Sequence, residues 1–364
     1  QDDADEQASQ VSDMTEKAVS AMVIAPVDPY GLSEELKAAK EAEIPVIAYD
    51  DLIMNTDGVK YYVTFGGRQI GQLIGQEIID KEELEKLQEA KESKTIEFLM
   101  GSLDDTQALF FYNGLMEKLQ PYLDDGTLVC KSGQITFEET GILRWSTDEA
   151  QSRAEEMLSE FYSDTETPDI ICTGFDGAAE SVLKVLQDNG LTPGENWPMI
   201  TGVGCDSEAV RDIAESEISC SVFMDRGELA DRAEDMVNVY LHGEDDPEVN
   251  DYEQYDNGTK IIASYLCEPQ LISIDNYELL IDNGYYTEDE VKPEATPTPE
   301  STVTPEITEK PDVTATPEVT ESPEATITPE VTEESDETAT EAPTEKVTPT
   351  PKERITLKRS TKNK

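Results

Sequence analysis

Paired carboxylates are abundant in this chain, and two of the pairs follow apolar runs: Asp50-Asp51 after Ile44 to Ala48, and Asp104-Asp105 after Thr95 to Gly101. Two carboxyls held roughly 5 to 9 Å apart across a bond, one with a raised pKa, could hydrolyse a glycoside. The same groups could instead accept hydrogen bonds from the hydroxyls of a bound sugar, or only solvate a loop. Tyr49 adds an aromatic ring where the buried run surfaces. Trp145, in "GILRWSTDEAQ", offers a flat apolar wall on which a pyranose could lie, and equally reads as a core or hinge-packing residue. Trp197, just before "PMITGVG", reads as structural.

Other chemistries lack their residues. His242 is the only histidine, at a helix end in "NVYLHGED", so a Ser-His-Asp or Cys-His nucleophile has no base set in a motif. "FGGRQIGQLIG" fits neither the dinucleotide nor the P-loop pattern and reads as a strand-to-helix turn with small residues on a packed helix face. "GEDDPEVNDYEQYDNG" is acidic but departs from the EF-hand template, and a solvated loop is the simpler reading. The five cysteines, Cys130, Cys172, Cys205, Cys220 and Cys267, have no zinc spacing and read as buried free thiols. A formal charge of −54 argues against nucleic acid as a partner. No cofactor, metal or enzymatic activity is expected.

The elements that must position these residues alternate. "AMVIAP", "IPVIAYD", "YYVTF", "TIEFLMG", "TLVCKSG", "DIICTG", "PMITGVG", "ISCSVFMD" and "IIASYLCEP" read as strands, and most are separated by helical segments such as Leu32 to Glu43, with Ser33 as a candidate N-cap. So many alternations exceed one doubly wound sheet, which implies an α/β fold of two Rossmann-like lobes with parallel sheets. Each strand ends in a polar or aromatic cluster, where ligands of open α/β sheets bind. From about Val291 the chain is Pro, Thr and Glu with repeats such as "TPEVTE", a composition that cannot bury a core and that serves as a spacer. "PKERITLKRSTKNK" then turns basic, as a wall- or membrane-proximal tail or the opening strand of a further domain. "QDDADEQASQ" begins in mid-pattern, as a fragment would.

The stretches "PVIAYDDLI", "MGSLDDTQALFFYNGLMEKLQPYL", "LVCKSGQ", "ILRWSTDEAQ", "EVNDYEQYDNGTKIIASYLCEP" and "IDNGYYTED" together resemble the extracytoplasmic solute-binding proteins of ABC sugar importers, type I fold, in the multiple-monosaccharide and xylose-binding group. The resemblance covers nearly all of residues 1 to 291. It implies two lobes joined by a three-strand hinge, with crossings near Ser102, Met224 and Tyr265, and a monosaccharide held in the cleft without chemistry. Residues 1–102 and 224–265 would form the N-terminal lobe, 103–223 and 266–291 the C-terminal lobe, 292–351 the spacer and 352–364 the tail. The family's first strand, first helix and most of its second strand would be absent, leaving the N-terminal lobe poorly able to fold. Permease and ATPase subunits would be the partners, and the location extracellular, on a Gram-positive surface, with anchoring through the missing ends. A surface sensor and the effector-binding core of a sugar-responsive repressor share this architecture.

The family's ligand residues carry over unevenly. Its Tyr-Asp-Arg is Tyr49-Asp50-Asp51 here, so a guanidinium is replaced by a carboxylate, and its Phe-Asp-Asn is Phe65-Gly66-Gly67. Its Asp-Asn-Asn becomes Asp105-Thr106-Gln107, Trp145 is kept, and the aromatic-Asp strand end survives as Phe175-Asp176. A Gln-Asp-Ala turn becomes Val203-Gly204-Cys205, and the Lys of the second hinge becomes Met224. Each charged hydrogen bond contributes about 1.5 to 3 kcal/mol, so these losses are enough to abolish micromolar affinity for the family's usual sugar. The resemblance therefore implies a retuned pocket lined by Asp50, Asp51, Asp105, Thr106, Gln107, Trp145, Phe175, Asp176 and Met224.

Overall fold

A computed structural model describes residues 3–162, 166–194, 196–243 and 246–291. Its strands are β1 (Met22–Ile24), β2 (Val46–Tyr49), β3 (Val59–Phe65), β4 (Lys94–Leu99), β5 (Leu128–Val129), β6 (Ile170–Thr173), β7 (Met199–Thr201), β8 (Cys220–Phe223), β9 (Ala263–Cys267) and β10 (Gln270–Ser273). Between them run helices α1 (Ala4–Glu16), α2 (Ser33–Glu41), α3 (Gly67–Lys81), α4 (Leu84–Ala90), α5 (Thr106–Asp125) and α6 (Phe137–Thr140). Helices α7 (Thr147–Phe161), α8 (Asp176–Asp188), α9 (Ser207–Ala214), α10 (Arg226–His242), α11 (Glu278–Asp282) and α12 (Glu288–Val291) complete the set. The strands form two sheets, β1-β2-β3-β9 and β10-β8-β7-β6-β4-β5, each the centre of one lobe. All pairings are parallel except β10 on β8.

The β-branched and aromatic strand residues are buried as a parallel sheet covered on its faces requires. Val46, Ala48, Tyr62 and Val63 are fully buried in the first sheet, so its four strands form an ordered core. A single apolar cluster then runs from Val63 and Phe65 through Ile74 and Leu115 to Ile96 and Phe98 of the second sheet.

Helices α3 and α5 carry that cluster, and glycines set how closely they approach. A Cβ at Gly71 would overlap the Phe111 carbonyl oxygen, one at Gly114 would overlap the Arg68 carbonyl oxygen, and one at Gly75 would lie 2.6 Å from Lys118 Cβ. The small residues read from "FGGRQIGQLIG" are thus the contact face of a backbone-to-backbone helix pair.

Several expectations need correction. The expected boundary at residue 102 puts β4 in the N-terminal lobe, yet β4 hydrogen-bonds to β6 with Ile96 opposite Ile170 and to β5 with Thr95 opposite Val129. Its buried Glu97 accepts hydrogen bonds from Ser132 N (3.0 Å), Ser132 Oγ (2.5 Å) and the Tyr162 hydroxyl (2.9 Å), all supplied from the second lobe. The chain therefore changes sheet between Phe65 and Lys94, ahead of Ser102, and again between Phe223 and Ala263 and between Cys267 and Gln270. Ser33 does not cap α2, whose N-cap is Leu32, and its hydroxyl donates to the Asn55 carbonyl at 3.4 Å. Between α3 and α4 the helical path is interrupted at Glu83, which adopts φ 50°. Helix α1 was not foreseen; Asp3 caps it by accepting from Glu6 N, and Val11 buries its inner face. The spacer and the basic tail lie outside the described residues.

Candidate functional site

β2 ends at Tyr49, and the next residue bends the chain: Asp50 takes φ 65°, a left-handed conformation that costs a non-glycine residue about 1 kcal/mol or more. Neighbours hold it there. Asp50 N donates to the Val63 carbonyl at 2.9 Å, while the Asp50 carbonyl accepts from the Tyr62 hydroxyl at 2.5 Å and from Thr64 Oγ1 at 2.8 Å. The peptide is fixed, and the Asp50 side chain is left exposed at the lip.

The second element is the loop from β4 into α5. Asp105 caps α5, its Oδ1 accepting from Gln107 N at 2.7 Å. Gln107 Nε2 reaches across to β3, donating to the Tyr62 hydroxyl at 2.8 Å and to Thr64 Oγ1 at 3.0 Å. The Tyr62 and Thr64 hydroxyls thus donate to the Asp50 carbonyl on one side and accept from Gln107 on the other, and the two lobes meet in one polar network. Gln107 Oε1 is buried without a hydrogen-bond partner.

The same loop holds the aromatic wall. Ser102 Oγ accepts from Arg144 N at 2.7 Å and donates to Asp104, and Gly101 leaves room for the Trp145 ring, which any Cβ there would overlap. Arg144 and Trp145 both adopt φ 55°. The half-buried Trp145 ring meets Phe175 edge-on, with centroids 5.3 Å apart and planes at 88°.

Electrostatics follow from crowding. Burial, with Asp105 and Asp50 nearby, pushes Asp51 up to about 6. Asp50, although solvent reaches it at the lip, is raised as well by the protein crowded around its carboxyl, and the nearby Arg226 guanidinium pulls it back. Burial raises Asp105, which the N–H groups of Gln107 and Ala108 partly offset. Asp51 thus feels two neighbouring carboxylates, whereas Asp50 has the Arg226 guanidinium to offset its crowding.

Not every expected residue joins it. Asp176 is 3 % exposed and turned inward: Oδ1 accepts from Ser221 Oγ at 2.7 Å and Oδ2 from Asp206 N at 2.9 Å. It braces the β7 and β8 turns, buried away from the cleft lip. Met224 is half-buried against the apolar cluster that joins the sheets, so at the second change of sheet it packs. Thr106 is exposed at the first turn of α5. Trp197 is structural, its Nε1 donating to the Glu217 carbonyl at 2.8 Å. Tyr62, Thr64 and Arg226 were missed. The two β3 residues look like strand filling, and Arg226, although it stands in the strand-end cluster Met224-Asp225-Arg226, has nothing in the sequence to pair it with Asp50.

Among the described residues, Asp212, Glu215 and Glu217 bring oxygens close enough to suggest a metal, but they lie at α9, away from this site. No helix among the described residues is long and apolar enough to cross a membrane.

Comparison with known proteins matches the periplasmic binding protein domain to residues 1–245. The chain is 40% identical over 293 residues to the multiple sugar-binding periplasmic receptor ChvE of Rhizobium radiobacter, covering 80% of this chain and 81% of that protein. It is 37% identical over 294 residues to the multiple sugar-binding periplasmic protein SbpA of Azospirillum brasilense, covering 80% and 81%. A solved ABC transporter solute-binding protein from Clostridium phytofermentans with bound β-D-glucose superposes with a TM-score of 0.71 at 39% identity, covering 80% of this chain and 88% of that one.

Proposed function

The chain belongs to the periplasmic binding protein family, and on that premise we propose that it captures a monosaccharide between its two lobes and delivers it to an ABC importer. It is an extracytoplasmic binding protein and not an enzyme. One observation carries the sugar assignment: the loop from Gly101 to Gln107 holds an aromatic face, Trp145, and the acceptor Asp105, and through Gln107, Tyr62 and Thr64 it ties to the strand end that carries Asp50 and Asp51 in the other sheet. An apolar ring face beside convergent acceptors is what a pyranose requires. Importer permease and ATPase subunits are the partners in this reading, and the Pro/Thr/Glu-rich stretch is a spacer that keeps the binding lobes at the cell surface. Fractionation of the producing cells should recover the protein outside the cytoplasm; recovery in the cytoplasm alone would refute the surface assignment.

Trp145→Ala tests the site. With unmodified protein, calorimetric titration against a panel of monosaccharides should give one-to-one binding of at least one sugar. The variant should bind that sugar about 100-fold more weakly, equivalent to about 2.7 kcal/mol, while its unfolding temperature stays within a few degrees. Equal affinity in the two proteins would remove Trp145 from the site.

A further inference from the structure

We infer that Ser102 is a positioning residue for the sugar: its hydroxyl holds the strained turn at Arg144 and Trp145, and so keeps the Trp145 ring presented before any ligand arrives. The inference rests on the proposed sugar-binding reading and deepens it, by naming what keeps the aromatic wall in place. Arg144 and Trp145 are consecutive, and both adopt φ 55°. That left-handed conformation is disfavoured for any residue with a Cβ, and two in a row persist only where neighbouring structure imposes them.

The imposing contacts run up from the end of β4. Met100 N donates to the Thr140 carbonyl at 2.8 Å, and the Gly101 carbonyl accepts from Ile142 N at 3.1 Å. One residue on, a side chain takes over from the backbone, and Ser102 Oγ accepts from Arg144 N at 2.7 Å. Ser102 is 1 % exposed, and its hydroxyl proton goes to the exposed Asp104, which leaves an oxygen lone pair for Arg144 N. Past the turn, Trp145 N donates to the Ile142 carbonyl at 3.2 Å and Ser146 caps α7. Without the Ser102 acceptor, Arg144 and Trp145 are free to relax to negative φ, and the ring leaves its seat between Gly101 and Phe175. A sugar would then have to rebuild the wall as it binds, which weakens the apparent affinity.

Ser102→Ala removes the acceptor without adding bulk. In a Trp197→Phe background, where Trp145 is the sole tryptophan, its emission anisotropy in sugar-free protein should gain a fast nanosecond phase when Ser102 is replaced. For a monosaccharide bound by the unmodified protein, Ser102→Ala should lower affinity about tenfold. Adding Arg144→Gly should recover about threefold of that loss, because glycine adopts φ 55° without penalty. A merely structural role for Ser102 predicts the reverse, since glycine only loosens the turn further. Should Ser102→Ala not fold, Asp104→Ala removes the group that aims the same hydroxyl and should release the same fast phase. An unchanged anisotropy decay in the folded variant, an unchanged affinity, or no recovery with glycine would each overturn this inference and leave the sugar-binding reading standing. Folded, unmodified protein that binds no monosaccharide would overturn both.

Discussion

Gly71→Ala and Gly114→Ala are each expected to destabilise the protein by about 3 kcal/mol or more, placing them among the most damaging single substitutions available to this fold. The new methyl group in each case meets a backbone carbonyl of the opposite helix, Phe111 for Gly71 and Arg68 for Gly114. No rotamer change can clear a carbonyl, so α3 and α5 would have to separate. Separation would loosen the cluster from Phe65 to Phe98 that ties the sheets together, and the damage should reach ligand affinity as well as stability. Gly126→Ala is the control. Gly126 takes φ 83° at the end of α5 with open space around it, so alanine there should cost only about 1 kcal/mol of backbone strain. Urea unfolding of the three variants decides the matter, and similar midpoints for Gly71→Ala and Gly126→Ala would mean that the helices are not in backbone contact.

The second large effect is an increase of stability on acidification from pH 8 to pH 5. Burial, with Asp206 close by, pushes Glu180 up to about 8, and burial holds Asp176 near 6 despite its bonds from Ser221 and Asp206 N. Asp212, also chiefly through burial, lies near 6, as does Asp51. A carboxyl whose folded pKa is raised binds its proton more readily in the folded state. Its contribution is therefore complete below the ordinary value and lost as pH rises through the folded value. For the deeply buried Asp176, a value near 6 in place of 3.8 corresponds to about 3 kcal/mol across that window, nearly half of it recovered by pH 5.

Carboxylates held low, such as Asp57 beside Lys40 and Glu117 beside Arg68, act in the opposite sense, but only below their ordinary values of 3.8 and 4.5. The formal charge of −54 also eases as carboxylates protonate, in the same direction. Unfolding free energy should rise by about 2 kcal/mol or more between pH 8 and pH 5, and Glu180→Gln should flatten the portion above pH 6. A fall in stability over that interval would contradict the electrostatic picture of these sites.

The sequence showed the two-sheet plan because buried parallel strands are continuous apolar runs ending in polar clusters, as in "IPVIAYDD". It also disclosed the glycine face of α3, since a small residue every fourth position lies on one side of a helix. It could not assign β4 to a sheet: Ile96, Phe98 and Leu99 would suit either core, and the choice is made by the bonds Glu97 receives from Ser132 and Tyr162. Asp176 misled for a related reason. A carboxylate after a strand has the same appearance whether it meets a ligand or, as here, Ser221 and Asp206 N. Helix α1 had its signal in Asp3 followed by Ala8, Val11 and Met14 at three-residue spacing, all of which belong to one apolar cluster with the first sheet. Tyr62 and Thr64 lacked one: two apart in β3, they share a face as any i and i+2 pair of a strand does, and only the Asp50 carbonyl lying across that face reveals why both hydroxyls matter.

Trp145 itself supplies the most direct test of a sugar held at the Gly101 to Gln107 loop. With Trp197→Phe, Trp145 is the sole remaining tryptophan, and its emission reports only on that wall of the cleft. Titration with a monosaccharide panel should produce a saturable change with one equivalent bound for at least one sugar, and that sugar should be recovered chemically unaltered. An emission spectrum from folded protein that no sugar perturbs, or a sugar returned as a different compound, would contradict the account.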